Sequence, residues 1–331
     1  MTRDGTRPLE RREFLAGSIG VAAGLVTAAA VPTVAAADAP SWPLIDSHVH
    51  FYDPARAEGV PWPPKDNTVL YRSVFPTEWE KLVAPYGPAG AIVVEASPWV
   101  EDNQWVLDLA DRHASQRSPG SLGIVGVVGN LPLGEEECGQ LIDRFAAHRL
   151  YRGIRTNGDK LLAGLESSAY AAQLARLAER GLAVDLNGGG VFAAALAVTE
   201  RFPTLRVVID HLANTRITPE GPLAEWLENV RRMADRPNVF MKVSGIAESA
   251  GRSMQPAKPP VDPSFYEPWL EAVWKAFGEK RLLYGSNWPV SDLAASYADI
   301  RGIVAPFVRK RGADAERWFY CEAARAAYRW A

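Results

Sequence analysis

The sequence predicts one large α/β domain of the (β/α)8, TIM-type barrel class, and three observations predict it. Short runs of β-branched residues alternate with amphipathic stretches eight times. Polar and titratable residues collect at the C-terminal ends of those runs, where a barrel gathers its functional groups. The first run, LIDSHVHFY from Leu44 to Tyr52, carries His48 and His50 two residues apart, a spacing that points both imidazoles the same way on a strand. A doubly wound open sheet is the rival, but the turn after the first run has no glycine fingerprint for a dinucleotide.

Taken in order, residues 1–37 stand apart from the fold. Arg11 and Arg12 precede Phe14 and Leu15, an uncharged run follows from Ala16, and Ala35, Ala36 and Ala37 stand before Asp38. A basic start, an apolar middle and a small-residue end describe a cleavable export signal. The paired arginines give it the look of a twin-arginine signal, so a folded bacterial protein bound for the periplasm is expected. An uncleaved anchor is the alternative, weakened by Pro32 and by the dominance of Ala and Gly. Residues 38–331 are expected to form the barrel domain.

The strand-like runs are Leu44 to Tyr52, Ala91 to Glu95, Ile124 to Val128, Tyr151 to Arg155, Leu182 to Leu186, Arg206 to Asp210, Val239 to Val243 and Leu282 to Tyr284. Between them the 3.6-residue period predicts helices over 77–84, 103–113, 135–149, 167–180, 191–201, 223–234 and 263–277. Two more follow the eighth run, over 293–307 and 313–330. The first of these helices opens with a capping box, Thr77 and Glu80. The segment Gly245 to Pro263 reads as a lid or pocket wall, being rich in Gly and Pro.

Composition excludes some classes. Hydrophobic residues make up 47% and the net charge is only −3, so a core is affordable and no basic field argues for nucleic acid or an anionic membrane. The eleven tryptophans, several beside polar motifs, point to an aromatic-walled pocket. Cys138 and Cys321 lack metal or redox spacing and read as two buried thiols, although an oxidising compartment leaves a disulfide open.

The strand ends carry the chemistry. His48 and His50 end the first run, with Asp46 and Asp53 nearby, and make a half-built divalent metal site, a cradle for negative charge, or a pair of surface histidines. Glu95, Arg155, Asp185, Asn187, Asp210, His211, Lys242, Ser244, Ser286, Asn287 and Trp288 follow on later strands. Polar groups at the ends of apolar runs are costly unless paired or in contact with a ligand. Glu95 and Asp185 can equally pair with Lys242 or Arg155 as structural ions, and His211 can be a buried histidine satisfied by backbone carbonyls. His113 and His148, near helix ends, suit the helix dipole and receive no chemistry.

In order and spacing, IDSHVHFYD, YRGIRTN, VVIDHLANT, VFMKVSG and YGSNWPVS resemble the amidohydrolase superfamily, and within it the amidohydrolase-related branch that holds lactonases of sugar lactones and of 2-pyrone-4,6-dicarboxylate. The resemblance runs from about Leu44 to the C-terminus. It implies a metal-dependent-hydrolase type of barrel that hydrolyses a cyclic ester of a small sugar acid or pyrone carboxylate. By position, His48, His50 and His211 match metal or substrate ligands, for zinc or manganese, and Arg155 matches an arginine suited to a substrate carboxylate or carbonyl. Glu95, Lys242 and Trp288 join the expected substrate contacts.

Asn287 departs from the pattern, since many members have an aspartate there as general base. Asparagine hydrogen-bonds but takes no proton at neutral pH. The base then falls to His211 or Asp210, with Asn287 orienting water; otherwise the site is metal-free, or it has lost hydrolysis and kept binding. A metal-dependent decarboxylase of a small unsaturated acid and a non-catalytic binder of small acids are the alternatives. In every case the partner is a small molecule.

Overall fold

The computed structural model describes residues 42–253 and 258–330. The predicted export signal, residues 1–37, lies outside the described residues. Among the described residues no helix is long and apolar enough to cross a membrane.

Eight parallel strands pair in chain order: β1 (Leu44–Val49), β2 (Ala89–Val94), β3 (Gly123–Gly129), β4 (Tyr151–Asn157), β5 (Ala183–Asn187), β6 (Arg206–Ile209), β7 (Val239–Val243) and β8 (Leu282–Tyr284). The ring closes between its ends. Val49 bridges Trp288, the Asn287 amide donates to the His48 carbonyl at 2.8 Å, and the His50 amide donates to the Trp288 carbonyl at 2.9 Å. The predicted runs coincide with these strands and differ only at their ends, so the (β/α)8 barrel is the fold.

Alternation along the strands separates two apolar layers. Ile45, Ile92, Val94, Ala183, Val208, Phe240 and Leu283 pack inside the barrel, while neighbours such as Leu44, Val93, Val184, Val207 and Met241 pack outward against the helices. The helix Val191–Arg201 shows how the outer layer forms: Val191, Ala194, Ala195 and Val198 are its buried stripe, one face of a 3.6-residue period.

β1 breaks the alternation, and the break positions the site. Its pairing with β2 shifts register between Asp46 and Val49, a bulge that changes which face each later residue presents. Ile45 faces inward, Asp46 faces the helices, and His48 and His50 return to the interior. Asp46, expected beside the histidines, is therefore diverted from them: it accepts hydrogen bonds from Trp79 Nε1 and the Tyr297 hydroxyl. Asp53 is also elsewhere, tied in a turn to the Ala55 amide and the Ser73 hydroxyl.

Two local expectations are corrected. The capping box at Thr77 does not form, because the helix Pro76–Val83 is led by Phe75 with Pro76 at its start, where proline's fixed φ already favours a helix. Glu80 instead faces the helix Glu101–Ala114 and its following loop, accepting from Ser118 and lying 3.5 Å from His113 Nε2. The helix expected over 313–330 is interrupted by a wide turn, Trp318–Glu322, between Ala313–Arg317 and Ala323–Tyr328. The interruption drives Cys321, Ala324, Ala327 and Tyr328 into the interior layer, where they plug the barrel. Cys138 and Cys321 are both buried free thiols.

Candidate active site

Over the C-terminal ends of the strands opens a cavity of about 1070 Å³. Of the predicted residues, His50, Glu95, Arg155, Asn187, His211 and Asn287 line it. His48, Asp210 and Lys242 are wholly buried and form a floor beneath. Trp288, expected to touch substrate, does not line the cavity: its ring packs edge-on to Phe51 under the Arg72 guanidinium. The aromatic walls expected from the tryptophan count are absent too. Trp62 is the one tryptophan among the lining residues, whereas Trp79, Trp269 and Trp288 fill the core. The walls are mixed, with Leu131, Leu133 and Tyr170 beside the polar groups.

Three imidazoles converge at the floor. The His48 ring lies 5.0 Å from that of His50 and 4.4 Å from that of His211. Burial pushes all three below the ordinary histidine value: His48 well below it, His50 to about 3 with the Arg155 cation adding to the effect, and His211 to about 4. Each is neutral at pH 7 and so offers one donor and one lone pair. His50 Nδ1 donates to the Val94 carbonyl at 2.9 Å, which leaves the Nε2 lone pair toward Asn287, 3.3 Å away. His211 Nδ1 is 2.8 Å from the Ser244 hydroxyl.

Beneath them lies an ionic layer. Lys242 Nζ donates to Asp185 Oδ2 at 2.5 Å, is 3.1 Å from Asp210 Oδ1 and is 3.2 Å from His48 Nδ1. The Tyr328 hydroxyl reaches up from the plug to Asp185. Burial raises the Asp185 carboxyl to about 6, against the pull of Lys242. Burial also acts to raise Asp210, but Lys242 and His48 win and hold it well below the carboxylate range. Asp210 thus has its charge committed to Lys242 and no face on the cavity, which counts against the expectation that it is the general base. Lys242, expected as a substrate contact, is likewise sealed away.

Arg155 keeps its place at the rim. Its Nε donates to Glu95 Oε1 and one terminal nitrogen to the Glu95 carbonyl, both at 2.8 Å. Two of its five N–H groups are engaged there, and the guanidinium still borders the cavity. The pairings left open between Glu95, Asp185, Arg155 and Lys242 resolve as Glu95 with Arg155 and Asp185 with Lys242.

A divalent ion fits the floor. His48, Asp210 and His211 can each bring one ligand atom to within 4.8 Å of the others. His48 Nε2 and both carboxylate oxygens of Asp210 are buried without a hydrogen-bond partner among the described residues, and two neutral imidazoles with a carboxylate are a donor set for zinc or manganese. His50, expected among the ligands, lies outside this group of three, although its Nδ1 bond to the Val94 carbonyl leaves the Nε2 lone pair free. Lys242 already brings one positive charge to the same carboxylate.

Backbone geometry aims two of these side chains. His211, Leu212, Ala213 and Asn214 have φ of 53°, 52°, 61° and 54°, a left-handed turn that non-glycine residues rarely adopt. It swings His211 off the end of β6 over the mouth. Asn287, at φ 62°, uses the tolerance of asparagine for the same region.

The residue that sequence reasoning missed is Glu248. It lies on the helix Ile246–Gly251, inside the stretch read as a lid, and its carboxylate borders the cavity together with Arg252. A lone acid in GIAESAG, among small and apolar residues, was the available signal.

Comparison with known proteins agrees with the barrel. The amidohydrolase family model matches residues 45–330. An L-fucono-1,5-lactonase of Burkholderia ambifaria is 33% identical over 258 residues, 77% of this chain and 83% of the relative. An L-fucono-1,5-lactonase of Burkholderia multivorans is 28% identical over 291 residues, 82% of this chain and 91% of the relative. The crystal structure of an amidohydrolase from Burkholderia multivorans with bound zinc superposes with a TM-score of 0.70 at 27% identity, covering 86% of this chain and 99% of that one. With five ordered motifs on separate strands and a match over nearly the whole barrel, the chain belongs to the amidohydrolase family.

Proposed function

We propose that the chain hydrolyses the lactone of a small sugar acid, opening the ring to a hydroxy acid. The observation that carries this reading is the cavity itself: two neutral imidazoles, His50 and His211, and the Arg155 guanidinium converge in one chamber whose lining is part polar and part apolar. A polyhydroxylated lactone offers hydroxyls to such walls and one carbonyl to such a floor. The lactonase relatives support the same substrate class.

Arg155 supplies fixed charge at the rim. A guanidinium can hold the carbonyl or a neighbouring hydroxyl with two parallel N–H groups, and it stabilises the oxyanion that develops on attack by water. His211 adds a hydrogen bond at the floor, oriented by Ser244. Asn287 can orient the attacking water. A zinc or manganese ion held by His48, Asp210 and His211 would supply Lewis acidity to the carbonyl when bound. An activated ring ester needs less of this assistance than an amide.

The twin-arginine look of residues 1–37 supports export to a bacterial periplasm, where extracellular sugar acids would be met. Periplasmic fractionation of the full chain, compared with an Arg11→Lys, Arg12→Lys variant retained in the cytoplasm, checks this.

The activity is tested with purified protein, beginning at Asp38, against L-fucono-1,5-lactone and a panel of other sugar 1,5- and 1,4-lactones, following acid release with an indicator, with and without zinc or manganese. Saturable release that is lost in His211→Ala is expected. A flat trace with every lactone overturns the reading.

A further inference from the structure

The eighth strand ends in an amide where hydrolysis calls for a proton acceptor, and a carboxylate stands directly behind it. Glu248 Oε1 accepts a 2.8 Å hydrogen bond from Asn287 Nδ2. Glu248 Oε2 is buried without a hydrogen-bond partner among the described residues, so a proton from cavity water reaches the carboxylate at Oε1, the oxygen that faces Asn287. The same side chain borders the cavity beside His50, His211 and Asn287. We propose that Glu248 is the general base of the lactone hydrolysis and that Asn287 is its positioning partner, so that the carboxylate missing from β8 is supplied from the helix after β7. This rests on the reading of the chain as a lactonase.

The hydrogen-bond bookkeeping around Asn287 explains why a base belongs there. With Glu248 ionised, Asn287 Nδ2 is given to the carboxylate and Oδ1 faces His50 Nε2 at 3.3 Å. That nitrogen is an acceptor, because His50 Nδ1 carries the ring proton to the Val94 carbonyl. Two acceptors therefore oppose each other. When Glu248 takes a proton, it can donate to Oδ1 after the amide makes a half-turn, and Nδ2 then meets the His50 lone pair. Every group is matched in that state. Proton uptake by Glu248 thus relieves a mismatch that Asn287 otherwise carries, and burial raises the Glu248 carboxyl in the same direction. The other candidates are weaker. His211 has its Nδ1 engaged with the Ser244 hydroxyl and belongs to the group that can hold a metal, and Asp210 is tied to Lys242 in the floor.

The step balances. The Glu248 carboxylate takes one proton from water as the water oxygen bonds to the lactone carbonyl carbon. The tetrahedral intermediate then expels the ring oxygen, whose electron pair receives the proton from Glu248. The product is a hydroxy acid, which ionises to release the proton that the assay reads, and Glu248 returns to its starting state.

The test compares wild type with Glu248→Gln, which keeps the shape and can still pair with Asn287, and with Glu248→Ala. Expected are a 10²- to 10⁴-fold fall in kcat, the range general-base catalysis contributes, with KM changed less than threefold. The acid limb of the kcat–pH profile disappears in Glu248→Gln, and formate restores rate to Glu248→Ala in proportion to its concentration. Adding Asn287→Asp to Glu248→Gln recovers at least tenfold of the loss. A merely structural Glu248 would move KM and the melting temperature and leave the acid limb in place. Wild-type turnover with a Glu248→Gln variant within threefold of it and an unchanged limb overturns the assignment and leaves the lactonase reading standing. Wild type inert toward every lactone overturns both.

Discussion

Asp46 Oδ1 accepts a 2.8 Å hydrogen bond from the Ser286 amide across the seam where the first strand meets the last. The same carboxylate accepts from the His48 amide at 3.3 Å and, through Oδ2, from Trp79 and Tyr297. All of these partners donate. Asp46→Asn turns one acceptor into a donor facing donors in a fully buried place, and should lower stability by roughly 1–3 kcal/mol, the usual cost of a buried mismatch. The urea midpoint at pH 7 checks it, and a variant equal to wild type would show that the seam is held by its backbone bonds alone.

Lys242→Met should cost about 3–5 kcal/mol, because it leaves two buried carboxylates without their cation. Asp185 and Asp210 both lose the partner that favours their charged forms. In the variant they bind protons more readily folded than unfolded, so the deficit grows as pH rises and shrinks as it falls. Unfolding at pH 7 and pH 5 should therefore show the two proteins closer together at pH 5. Asp185→Asn in the Lys242→Met background should recover part of the loss.

His50 gives the wild type an acid sensitivity of its own. Its folded value of about 3 lies below the ordinary 6.5, so between these pH values the unfolded chain binds the extra proton and stability falls as pH falls. The slope is roughly 1.4 kcal/mol per pH unit. Asp185 runs the other way, since its folded value of about 6 makes the folded chain the better proton binder between about 4 and 6. His50→Asn isolates the histidine: its stability between pH 6.5 and 5 should fall less than that of wild type, by about 2 kcal/mol. Equal slopes would place the proton elsewhere.

Two glycines should respond oppositely to alanine. A Cβ on Gly153 in β4 would meet the Ala183 carbonyl oxygen at 2.4 Å, and neither that backbone nor its strand pairing can give. Gly153→Ala should unfold at several degrees lower temperature or fail to accumulate. Gly302, inside the helix Tyr297–Arg309, has nothing within 4 Å of its added Cβ. Gly302→Ala should raise stability by about 0.5–1 kcal/mol, as read from thermal melts of the pair.

The barrel was legible because two periods repeat along the chain: β-branched runs such as RVVID and helical stripes such as Val191, Ala194, Ala195 and Val198. The strand ends followed from the fold, which is why His50, Glu95, Arg155, His211 and Asn287 all reach the mouth. Depth was not legible. His48, Lys242 and Asp210 sit at the same nominal level as their neighbours, yet a bulge in β1 and the ion pairs of Lys242 with Asp185 and Asp210 bury them as the floor. Tryptophans beside polar motifs looked like pocket walls, but Trp288 is one residue past Asn287 and points into the core. Glu248 was hidden for a different reason: a six-residue helix leaves too little periodicity to be told from a loop, and its carboxylate gains meaning only from the Asn287 amide 39 positions away.

The left-handed turn at 211–214 has a bearing on how this protein would respond to laboratory evolution. Each non-glycine residue in that region costs of order 1–2 kcal/mol, and a native protein's whole margin is of order 5–15 kcal/mol. Selection for heat resistance without an assay of turnover would therefore converge on these four positions. Ala213→Gly should be among the earliest gains, raising the melting temperature at φ 61° while freeing the segment that carries His211. Stability and catalysis would drift apart at one turn, and the trade would be visible in sequence as glycine accumulating after β6.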